Sequence, residues 1–375
     1  MLLSVAILGS LSWFYLACLH GRFWSSTPTL PAPQALKQYP RVAVVVPARD
    51  EAENIAQSLA SLLAQNYEGQ LDVILVDDNS SDGTAEIASA LDNRQRLTIL
   101  SGKPLEAGWS GKLWAVHQGL SLPAAQSADY ILLTDADIEH QPTHVAALVQ
   151  QAEAQRLDLV SEMVRLHCDT DAEHALIPAF LFFFQMLYPF AWTADPKRRT
   201  AGAAGGTMLV KRSAFERIDG VQRIRHNLID DCALAHEIKS TGGRIWLGHA
   251  ELASSLRVYA DWREVWDMVA RTAYVQLRHS PLALLGCVAG MALLYIAPPV
   301  LTLFAHGASH WLGIVTWIVM AAVFQPTLRR YRRSPLWGVA LPAIALFYIG
   351  ATVASAVRHH LGRGGGWKNR TYSST

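Results

Sequence analysis

The sequence has little charge and no excess of either sign. Only 17% of its 375 residues are charged, and 32 Lys and Arg residues stand against 31 Asp and Glu residues, giving a formal net charge of +1. Contacts from basic side chains to phosphates dominate the affinity of nucleic-acid-binding proteins. A chain without a basic excess lacks the charge for that role, so no nucleic-acid partner is predicted.

Cysteine is also scarce. The four cysteines (Cys18, Cys168, Cys232 and Cys287) are far apart, and no CxxC pair or Cys/His cluster with metal-ligand spacing occurs. This spacing argues against a disulfide framework and against a zinc site. We expect four reduced thiols that belong to the structure.

What the sequence has instead is apolar residues. They make up 51% of the chain, and the mean hydropathy is +0.16. This composition is more apolar than that of a typical soluble domain. It also lacks the low hydrophobicity and high net charge of a disordered chain. The length allows one large or two medium domains. We therefore predict that part of the chain lies in lipid.

The N-terminal apolar run indicates a membrane anchor. Residues 2–19 carry no side chain that ionises more readily than a thiol or a phenol, and the run is just long enough to cross a bilayer. No basic side chain precedes it, as one would in a signal peptide. Arg22 and the aromatic pair after it are typical of a cytoplasmic interface. We predict an anchor over residues 1–24 and a Pro-rich linker without packing over residues 25–40.

The C-terminal third contains further apolar stretches, at 281–305, 311–328 and 336–357. An amphipathic juxtamembrane helix over 261–280 precedes them. Three crossings that start in the cytoplasm would put the basic tail, 358–375, outside. The tail and the arginines within 329–333 both favour the cytoplasm. We therefore predict that 281–357 contains transmembrane helices and one re-entrant or interfacial stretch, and the sequence leaves open which stretch that is.

Residues 41–260 alternate between strand and helix patterns. Four short apolar, β-branched runs occur, and turn chemistry and a helical pattern follow each of them. This order predicts an α/β fold, with a doubly wound, mainly parallel sheet whose ligands bind beyond the carboxyl ends of the strands. The four predicted strands are 41–46, 71–76, 96–100 and 129–134.

Carboxylates follow three of these runs. PARDEAEN follows the first and VDDNSSDGT follows the second, where a turn and helix cap explain Asp82 but not the two aspartates before it. After the fourth run, Asp135 and Asp137 lie two residues apart and point the same way along an extended chain. Such a pair suits Mg²⁺ or Mn²⁺ bound together with phosphate oxygens. The sequence therefore predicts a metal and diphosphate site.

These motifs, in this order, resemble those of the family 2 glycosyltransferases, whose nucleotide-sugar domain has the GT-A fold. The resemblance rests on P-A-R-D-E, V-D-D-N-S-S-D-G-T, W-S-G-K, T-D-A-D, A-G-G-T-M-L-V-K-R and I-D-D. It covers nearly the whole chain. Within the family, the stretches at 108–119, 176–192, 228–248 and 271–282 are most similar to the hopene-associated glycosyltransferases of bacterial hopanoid synthesis.

The resemblance implies a role for each matching residue. Arg49 lies beside Asp50, where the family usually has Asn. The implied donor-binding residues are Pro47, Arg49 and Glu51 at the nucleoside, Asp78 at the uracil or ribose, Lys112 near the diphosphate, and Asp135 and Asp137 at the diphosphate, with Asp137 acting through Mg²⁺ or Mn²⁺.

The resemblance also implies a catalytic base. Asp231 occupies the Asp of the family's Glu-Asp pair, and Asp230 occupies the Glu position. A carboxylate with an ordinary pKa near 3.9 is ionised at neutral pH and can take a hydroxyl proton. The alternative is that both aspartates only cap the helix that follows.

A cationic clamp on the leaving diphosphate is a further implication. Processive members carry Gln-x-x-Arg-Trp before the membrane, whereas this chain has Val275 and His279 at the Gln and Trp positions. Arg278, or alternatively Arg271, is then either a diphosphate-binding residue or a cation that reaches to the membrane interface.

The apolar run 175–193 bears on the acceptor. It is long enough to span a bilayer, yet Asp137 and Asp231 must face one pocket, so the chain between them cannot cross once. We predict an interfacial segment with exposed aromatic surface and with the basic residues 197–199 at the lipid phosphates. This places a lipid acceptor beside the donor site.

Together these observations predict an inverting glycosyltransferase in the bacterial inner membrane, with its catalytic domain in the cytoplasm. The predicted donor is a UDP-sugar, and the predicted acceptor is the hydroxyl of a hopanoid or a similar polycyclic lipid. The alternatives are a polyprenyl-phosphate glycosyltransferase, a polysaccharide synthase that also exports its product, and an inactive membrane scaffold.

Overall fold

A computed structural model describes residues 1–36, 38–91, 96–362, 366–367 and 370–371. Half of the predicted basic tail, residues 358–375, therefore lies outside the described residues; the described half consists of 358–362, 366–367 and 370–371. All four cysteines are free thiols, as expected. The helices, numbered along the chain, are α1 Leu2–Cys18, α2 Ile55–Leu63, α3 Thr84–Ser89, α4 Gly111–Leu120, α5 Pro123–Gln126, α6 His144–Gln155, α7 Asp171–Leu187, α8 Phe190–Ala194, α9 Arg212–Arg217, α10 Asp230–Ser240, α11 Trp262–Gln276, α12 Pro281–Met291, α13 Ala297–Phe304, α14 Ala308–Arg330 and α15 Trp337–His360.

The four predicted strands are confirmed and form one side of an eight-stranded sheet. They are β1 Val42–Ala48, β2 Leu71–Asp77, β3 Leu97–Ser101 and β4 Tyr130–Leu133. These four strands pair with one another in parallel. Every residue of β1 and β4 is buried, because helices cover both faces of this part of the sheet.

The other side of the sheet is mixed. Its strands are β5 Ile138–His140, β6 Leu159–Arg165, β7 Met208–Lys211 and β8 Ile245–Ser255, and the full order is β3-β2-β1-β4-β7-β6-β8-β5. β7 runs antiparallel to both β4 and β6, and β5 runs antiparallel to β8. The sequence pattern of buried runs did not reveal these antiparallel pairs, because a short buried strand looks the same in either direction.

Helices cover the sheet on both faces. The apolar faces of α2 and α6 pack on one face together with Val44 and Leu132, and those of α4, α9 and α10 pack on the other with Val45 and Ile131. Adjacent residues of a strand point to opposite faces, so the two cores share the same strands. This layering places the carboxyl ends of β1 and β4 at one open edge.

The predicted linker, residues 25–40, is not without packing. Pro28 O accepts a hydrogen bond of 2.8 Å from His249 N, and Thr29 forms a parallel bridge to the same residue. Leu30 and Tyr39 pack partly against the sheet core. An extended Pro-rich segment can pair beside an existing strand, which the composition alone does not indicate.

α1, α12–α13 and α14 form a helical bundle beside the domain. Ser10 Oγ lies 2.7 Å from Thr316 Oγ1, and Trp13 Nε1 donates to Leu294 O at 2.8 Å. A five-residue π-helical segment joins α12 to α13 and includes Leu294. The helices long and apolar enough to cross a membrane are 171–194, 281–304, 308–330 and 337–360, while α1 is a shorter apolar helix.

The bundle meets the α/β domain at one end. Arg330, the last residue of α14, lies 2.6 Å from the Glu251 carboxylate on β8. Gln185 of α7 donates to Phe23 O, just beyond α1, at 2.8 Å. At the opposite end, Ala6 packs with Leu301 and other residues near the α13–α14 connection.

The first part of α15 lies against α14 between the middle of that helix and its domain end. Trp317 Nε1 donates to Val339 O at 3.2 Å, and Gln325 Nε2 donates to Pro335 O at 3.2 Å. α15 therefore starts well short of the far end of the bundle.

The last part of α15 lies beside α11, which immediately precedes α12. Tyr274 N donates to Ser355 Oγ at 3.0 Å, and the rings of His279 and His359 stack at 4.1 Å. Because α12 leaves the domain at Pro281, the last part of α15 lies on the domain side of the bundle, and the contacts of its first part with α14 begin near the middle of that helix.

The predicted interfacial segment forms α7 and α8, and its aromatic residues are mostly inside the protein. Phe182, Phe183 and Phe190 are buried, and Phe182 contacts Phe324 of α14 with ring centroids 5.0 Å apart. The expectation of exposed aromatic surface was wrong here. The helices α11, α14 and α15 cover this surface, and no pattern within 175–193 reveals those distant partners.

Candidate active site

A cavity of about 770 Å³ opens at the carboxyl ends of β1 and β4. It extends from the sheet edge to the helices beside the bundle. Six of the predicted site residues line it: Pro47, Glu51, Lys112, Asp135, Asp137 and Asp231.

Lys112 connects the two predicted halves of the site. It is the second residue of α4, and its Nζ lies 2.8 Å from Asp135 Oδ1 and 3.1 Å from Asp230 Oδ2. Burial alone would lower the pKa of this ammonium, but the two carboxylates raise it above its ordinary value. Lys112 therefore stays charged and brings the aspartate after β4 close to the aspartates that start α10.

Asp137 is a buried carboxylate with other carboxylates near it. Burial and the negative charges of Asp135 and Glu51 raise its pKa to about 6. Each of these charges favours the neutral acid over the carboxylate, so a cation placed among them would be stabilised. The arrangement fits a divalent metal.

The number of ligands matches a metal that is shared with a substrate. Among the residues that the structure describes, no three His, Cys, Asp or Glu side chains are grouped closely enough to hold an ion by themselves. Mg²⁺ is usually bound by one or two carboxylates, with substrate phosphates and waters completing its shell. Asp135 and Asp137 can supply those carboxylates.

Asp231 lies in the first turn of α10, where two backbone amides hold it. Its Oδ2 accepts from Gly205 N at 2.9 Å and its Oδ1 accepts from Cys232 N at 2.6 Å. Burial and the charge of Asp230 raise the pKa of Asp231 to about 6, against the opposing charge of Lys112. The carboxylate is still ionised at neutral pH, but it is a stronger base than the ordinary value near 3.9 implies.

The role of Asp231 goes beyond a helix cap. The N-cap position of α10 is Ile229, and no side-chain hydrogen bond caps this helix there. The bond to Gly205 N instead joins α10 to the small-residue segment before β7.

Gly205 stands at the centre of the site. A Cβ atom built on it would lie 3.2 Å from Lys112 Nζ, 3.5 Å from Asp231 Oδ2 and 3.7 Å from Asp135 Oδ2. Glycine leaves open the space on which the ammonium and both carboxylates converge. A group placed there would lie beside Lys112, Asp231 and Asp135.

Arg49 and Asp78 lie together but do not line this cavity. Arg49 Nη1 is 3.7 Å from Asp78 Oδ2, and the Asp78 side chain is only 1% exposed. Asp50 Oδ1 accepts from Ser81 N at 2.9 Å, which joins the loops after β1 and β2. These three residues therefore shape the sheet edge next to Pro47 and Glu51.

The structure separates the two candidates for the cationic clamp. Arg278 is exposed, has a φ of 53° and is not among the residues that line the cavity. Arg271, one turn from the end of α11, does line it. So does Arg257, a residue that the sequence analysis missed because it follows β8 without any recognisable motif.

The far part of the cavity is apolar. Gln276 donates to Tyr188 Oη at 2.6 Å near the Asp231 end, and neither residue was predicted from the sequence. Beyond them the walls come from α7, α11, α12 and α15, and include Phe180, Phe183, Phe184, Leu187, Met268, Val269, Cys287, Met291, Tyr348 and Thr352. A polar reaction site and an apolar chamber thus share one space.

Comparison with known families matches just under half of the chain to one of them. Residues 43–219 match the family model described as Glycosyl transferase family 2. This stretch contains the strand-end carboxylates and Gly205.

Curated relatives match over parts of their length. A probable glycosyltransferase, YdaM of Bacillus subtilis (strain 168), is 27% identical over 212 residues, which are 55% of this chain and 47% of the relative. An undecaprenyl-phosphate 4-deoxy-4-formamido-L-arabinose transferase of Yersinia enterocolitica is 31% identical over 120 residues, 30% of this chain and 34% of the relative. The chain thus spans less than half the length of these two relatives.

A solved structure shares the fold. It is the mannosyltransferase PcManGT from Pyrobaculum calidifontis in complex with GDP-Man and Mn²⁺, with a TM-score of 0.55 and 19% identity over 96% of this chain and 99% of the other. At this identity the likeness concerns the fold alone. The chain has the GT-A α/β fold with a mostly parallel mixed sheet. One short apolar helix precedes the strands in the sequence, and further apolar helices follow them.

Proposed function

We propose that this chain, whose residues 43–219 form a family 2 glycosyltransferase domain, is a membrane-bound inverting glycosyltransferase. It moves a sugar from a nucleotide donor to a hydroxyl of a membrane lipid. The observation that carries the proposal is the shared cavity, which has Asp137 and Asp231 at one end and the apolar chamber at the other.

The donor binds at the sheet edge in this proposal. Pro47 and Glu51 line the cavity where a nucleoside would lie, and Lys112, Arg257 and Arg271 supply positive charge for a diphosphate. Asp135 and Asp137 would hold Mg²⁺ or Mn²⁺, which neutralises charge on the departing nucleoside diphosphate. The solved relative in complex with GDP-Man and Mn²⁺ supports the metal, and a UDP-sugar remains our expectation for the donor.

Asp231 is the proposed base. Its carboxylate takes the proton of the acceptor hydroxyl while the acceptor oxygen forms a bond to the anomeric carbon. The bond from that carbon to the diphosphate oxygen breaks on the opposite face, so an α-linked donor gives a β-glycoside. Gly205 N holds one oxygen of the base, and the missing side chain of Gly205 leaves room for the sugar.

The electrostatics at Asp231 favour a neutral hydroxyl over a phosphate acceptor. Asp230 and Asp231 lie side by side at the start of α10, and the ammonium of Lys112 is already bound between Asp135 and Asp230. A phosphate acceptor would be repelled there and would gain little from a base. The aromatic chamber beyond suits a rigid apolar body, which supports a hopanoid or a similar polycyclic lipid.

A polyprenyl phosphate is the second candidate acceptor. The partial match to an undecaprenyl-phosphate transferase and the presence of Arg257 and Arg271 in the cavity wall support it. In that case the acceptor oxygen is already anionic, and Asp231 is not needed as a base.

The proposed membrane arrangement follows from the position of α15. In this arrangement α1, α12–α13 and α14 cross the inner membrane, and α15 lies along the cytoplasmic leaflet with α7 and α11. Both basic segments, at 329–333 and from 358 onward, then lie in the cytoplasm with the catalytic domain, as the positive-inside rule requires. Exposed apolar residues on one side of α15, among them Val339, Leu346, Val353 and Val357, would face the lipid chains.

An acceptor assay tests the function. Full-length protein in lipid nanodiscs is incubated with a UDP-hexose series and either a hopanoid alcohol or undecaprenyl phosphate, and products are identified by mass. We expect product with the hopanoid alcohol, and a large loss of it in Asp231→Asn. Product only with undecaprenyl phosphate, undiminished in Asp231→Asn, would establish the second candidate. Mass comparison of lipid extracts from a deletion strain and its parent identifies the native product.

A further inference from the structure

A chain of buried polar side chains lies behind the metal-binding carboxylates. Thr134 Oγ1 is 3.0 Å from His140 Nε2, the Nδ1 atoms of His140 and His144 are 2.8 Å apart, and His144 Nε2 is 2.7 Å from Glu162 Oε2. Each of these residues is at most 2% exposed. We call Thr134, His140, His144 and Glu162 the buried relay.

The two ends of the buried relay determine how it is protonated. Gly206 O can only accept, so the single hydroxyl hydrogen of Thr134 is donated to it at 2.8 Å. The Thr134 oxygen must then accept from His140 Nε2. Each of the two remaining contacts also needs one hydrogen.

This count gives a relay with no net charge. In its uncharged form, His140 carries its proton on Nε2, His144 carries it on Nδ1, and Glu162 is a carboxylic acid that donates to His144. Moving protons along the contacts produces an imidazolium and a carboxylate without changing the total. Burial favours the uncharged form, because it lowers the pKa of both histidines and raises that of Glu162. Arg330 and Glu251 are the nearest outside charges on Glu162.

The buried relay forms a closed ring of contacts with the glycine segment before β7. Thr134 precedes Asp135 directly, and His140 ends the short strand that follows Asp137. At the other side, Glu162 N donates to Thr207 O at 3.2 Å, beside the glycine whose carbonyl Thr134 binds. The metal-binding turn and the glycine segment that holds Asp231 are thereby tied together.

We propose that the buried relay consists of positioning residues that set the distance between the metal-binding carboxylates and the base. The proposal rests on the proposed function for the roles of those groups, but not on any particular acceptor. Buried side chains that hydrogen-bond to one another hold the segments that carry them at fixed distances, and an uncharged relay places no additional charge next to the donor. A shift of about 1 Å in such groups is enough to slow turnover by about 100-fold.

Matched substitutions test the positions of the two ends. Thr134→Val and Glu162→Leu remove a donor while keeping similar shape, whereas Thr134→Ser and Glu162→Gln keep one. We expect the Ser and Gln variants to retain turnover and Mn²⁺-dependent UDP affinity measured by calorimetry. We expect the Val and Leu variants to lose about 10- to 100-fold in kcat and to bind UDP with Mn²⁺ more weakly. Val and Leu variants that match their partners in both measurements would overturn the proposal.

Coupling and spectroscopy distinguish a relay from separate structural bonds. The losses in kcat of Thr134→Val and Glu162→Leu should not multiply in the double variant, because either one breaks the same relay. Tyr67→Phe is the control, since it removes a buried hydrogen bond to Pro40 O elsewhere and should lower stability without changing kcat.

In the unmodified chain, ¹⁵N spectra of histidine rings should show a neutral Nε2–H form for His140 and a neutral Nδ1–H form for His144 at neutral pH. Independent losses, or two neutral rings with the opposite tautomers, would contradict the ring of hydrogen bonds described here.

Discussion

At the scale of single residues, burial decides the chemistry of the aspartates. Burial raises the pKa of both Asp137 and Asp231 to about 6, yet the surroundings of the two carboxylates differ. The pKa of Asp137 is raised by burial and by neighbouring carboxylates, whose charge a metal could neutralise. Asp231 instead accepts hydrogen bonds from two backbone amides. The same desolvation therefore produces a cation site at one position and a base of useful strength at the other.

The raised pKa of Asp231 predicts the acid limb of the pH profile. Only the carboxylate can take a proton, so kcat/KM should fall as the pH decreases through about 6 and level off above it. Asp231→Asn keeps the shape of the side chain and should lower turnover by about two to four orders of magnitude with donor affinity unchanged. Rates between pH 4.5 and 8.5 and calorimetry with UDP measure both. Loss of donor binding in Asp231→Asn would mean that the residue is structural.

Metal removal tests the carboxylates after β4. We expect UDP binding to require Mg²⁺ or Mn²⁺ and to be abolished by Asp137→Ala, because the metal joins the carboxylates to the diphosphate. Calorimetry with and without EDTA measures this. Asp72→Ala is the control, since Asp72 lies at the amino end of β2, where it should not affect binding. Unchanged affinity in EDTA would remove the metal from the mechanism.

At the scale of elements, α15 has the composition of a membrane span, yet we propose that it lies along the cytoplasmic leaflet. It is 24 residues long, and its length and hydropathy are those of a spanning helix. Its first part contacts α14, and its last part contacts α11. Length and hydropathy indicate whether a helix is able to cross a membrane. Packing against neighbouring helices determines how the helix is oriented relative to the membrane.

Cysteine labelling tests the arrangement of α13, α14 and α15. In a chain with the four native cysteines replaced, probes are placed at the exposed positions His306, Ser334 and Leu361. A reagent that does not enter cells should label only the probe at 306, in the α13–α14 connection. Labelling at 361 but not at 334 would mean that α15 crosses the bilayer.

The same method tests where the catalytic domain lies. Probes at Ser89 and Ser213, both exposed, precede and follow α7 in the chain. Neither should be labelled from outside, because the residues that form the cavity cannot be divided between two compartments. A labelled Ser213 alone would show that α7 crosses the membrane and would contradict the shared site.

At the scale of the whole molecule, two C-terminal apolar helices share one cavity with the α/β domain. Residues of α12 and α15 line the cavity together with the strand-end carboxylates, although they are far from them in the chain. The domain and the helical bundle therefore form one enzyme in this proposal, in which the catalytic domain holds the donor and the helices hold the acceptor.

Filling the apolar end should affect the acceptor alone. Met291→Trp adds bulk to the chamber wall on α12, so the KM for the lipid should rise by about tenfold or more while UDP affinity stays the same. Val300→Trp on the exposed side of α13 is the matched control and should change neither. Acceptor kinetics in nanodiscs and UDP calorimetry provide the measurements. Equal lipid KM in both variants would exclude the chamber as the acceptor site.

The local sequence pattern was enough to predict some features of the structure but not others. Four strands were predicted because a buried parallel strand is a continuous apolar run, and the carboxylates after them were found because strand ends meet at one edge. Arg257 and Tyr188 were missed because nothing near them in sequence distinguishes a cavity wall from any other surface. Arg278 was favoured by a motif position, yet it lies just beyond α11, and Arg271, seven residues earlier on α11, lines the cavity.

The sequence by itself determined the local properties of this protein: the buried runs, the turns that end them, and the carboxylates that follow. Those depend on the side chains of neighbouring residues and on the regular geometry of a strand or helix. Only the tertiary structure decided the course of α15, the burial of the aromatic residues of α7, the pKa of Asp231 and the ring of hydrogen bonds through His140 and His144. Each of these depends on groups that are distant in the chain, and their distances are set by the packing of the whole fold.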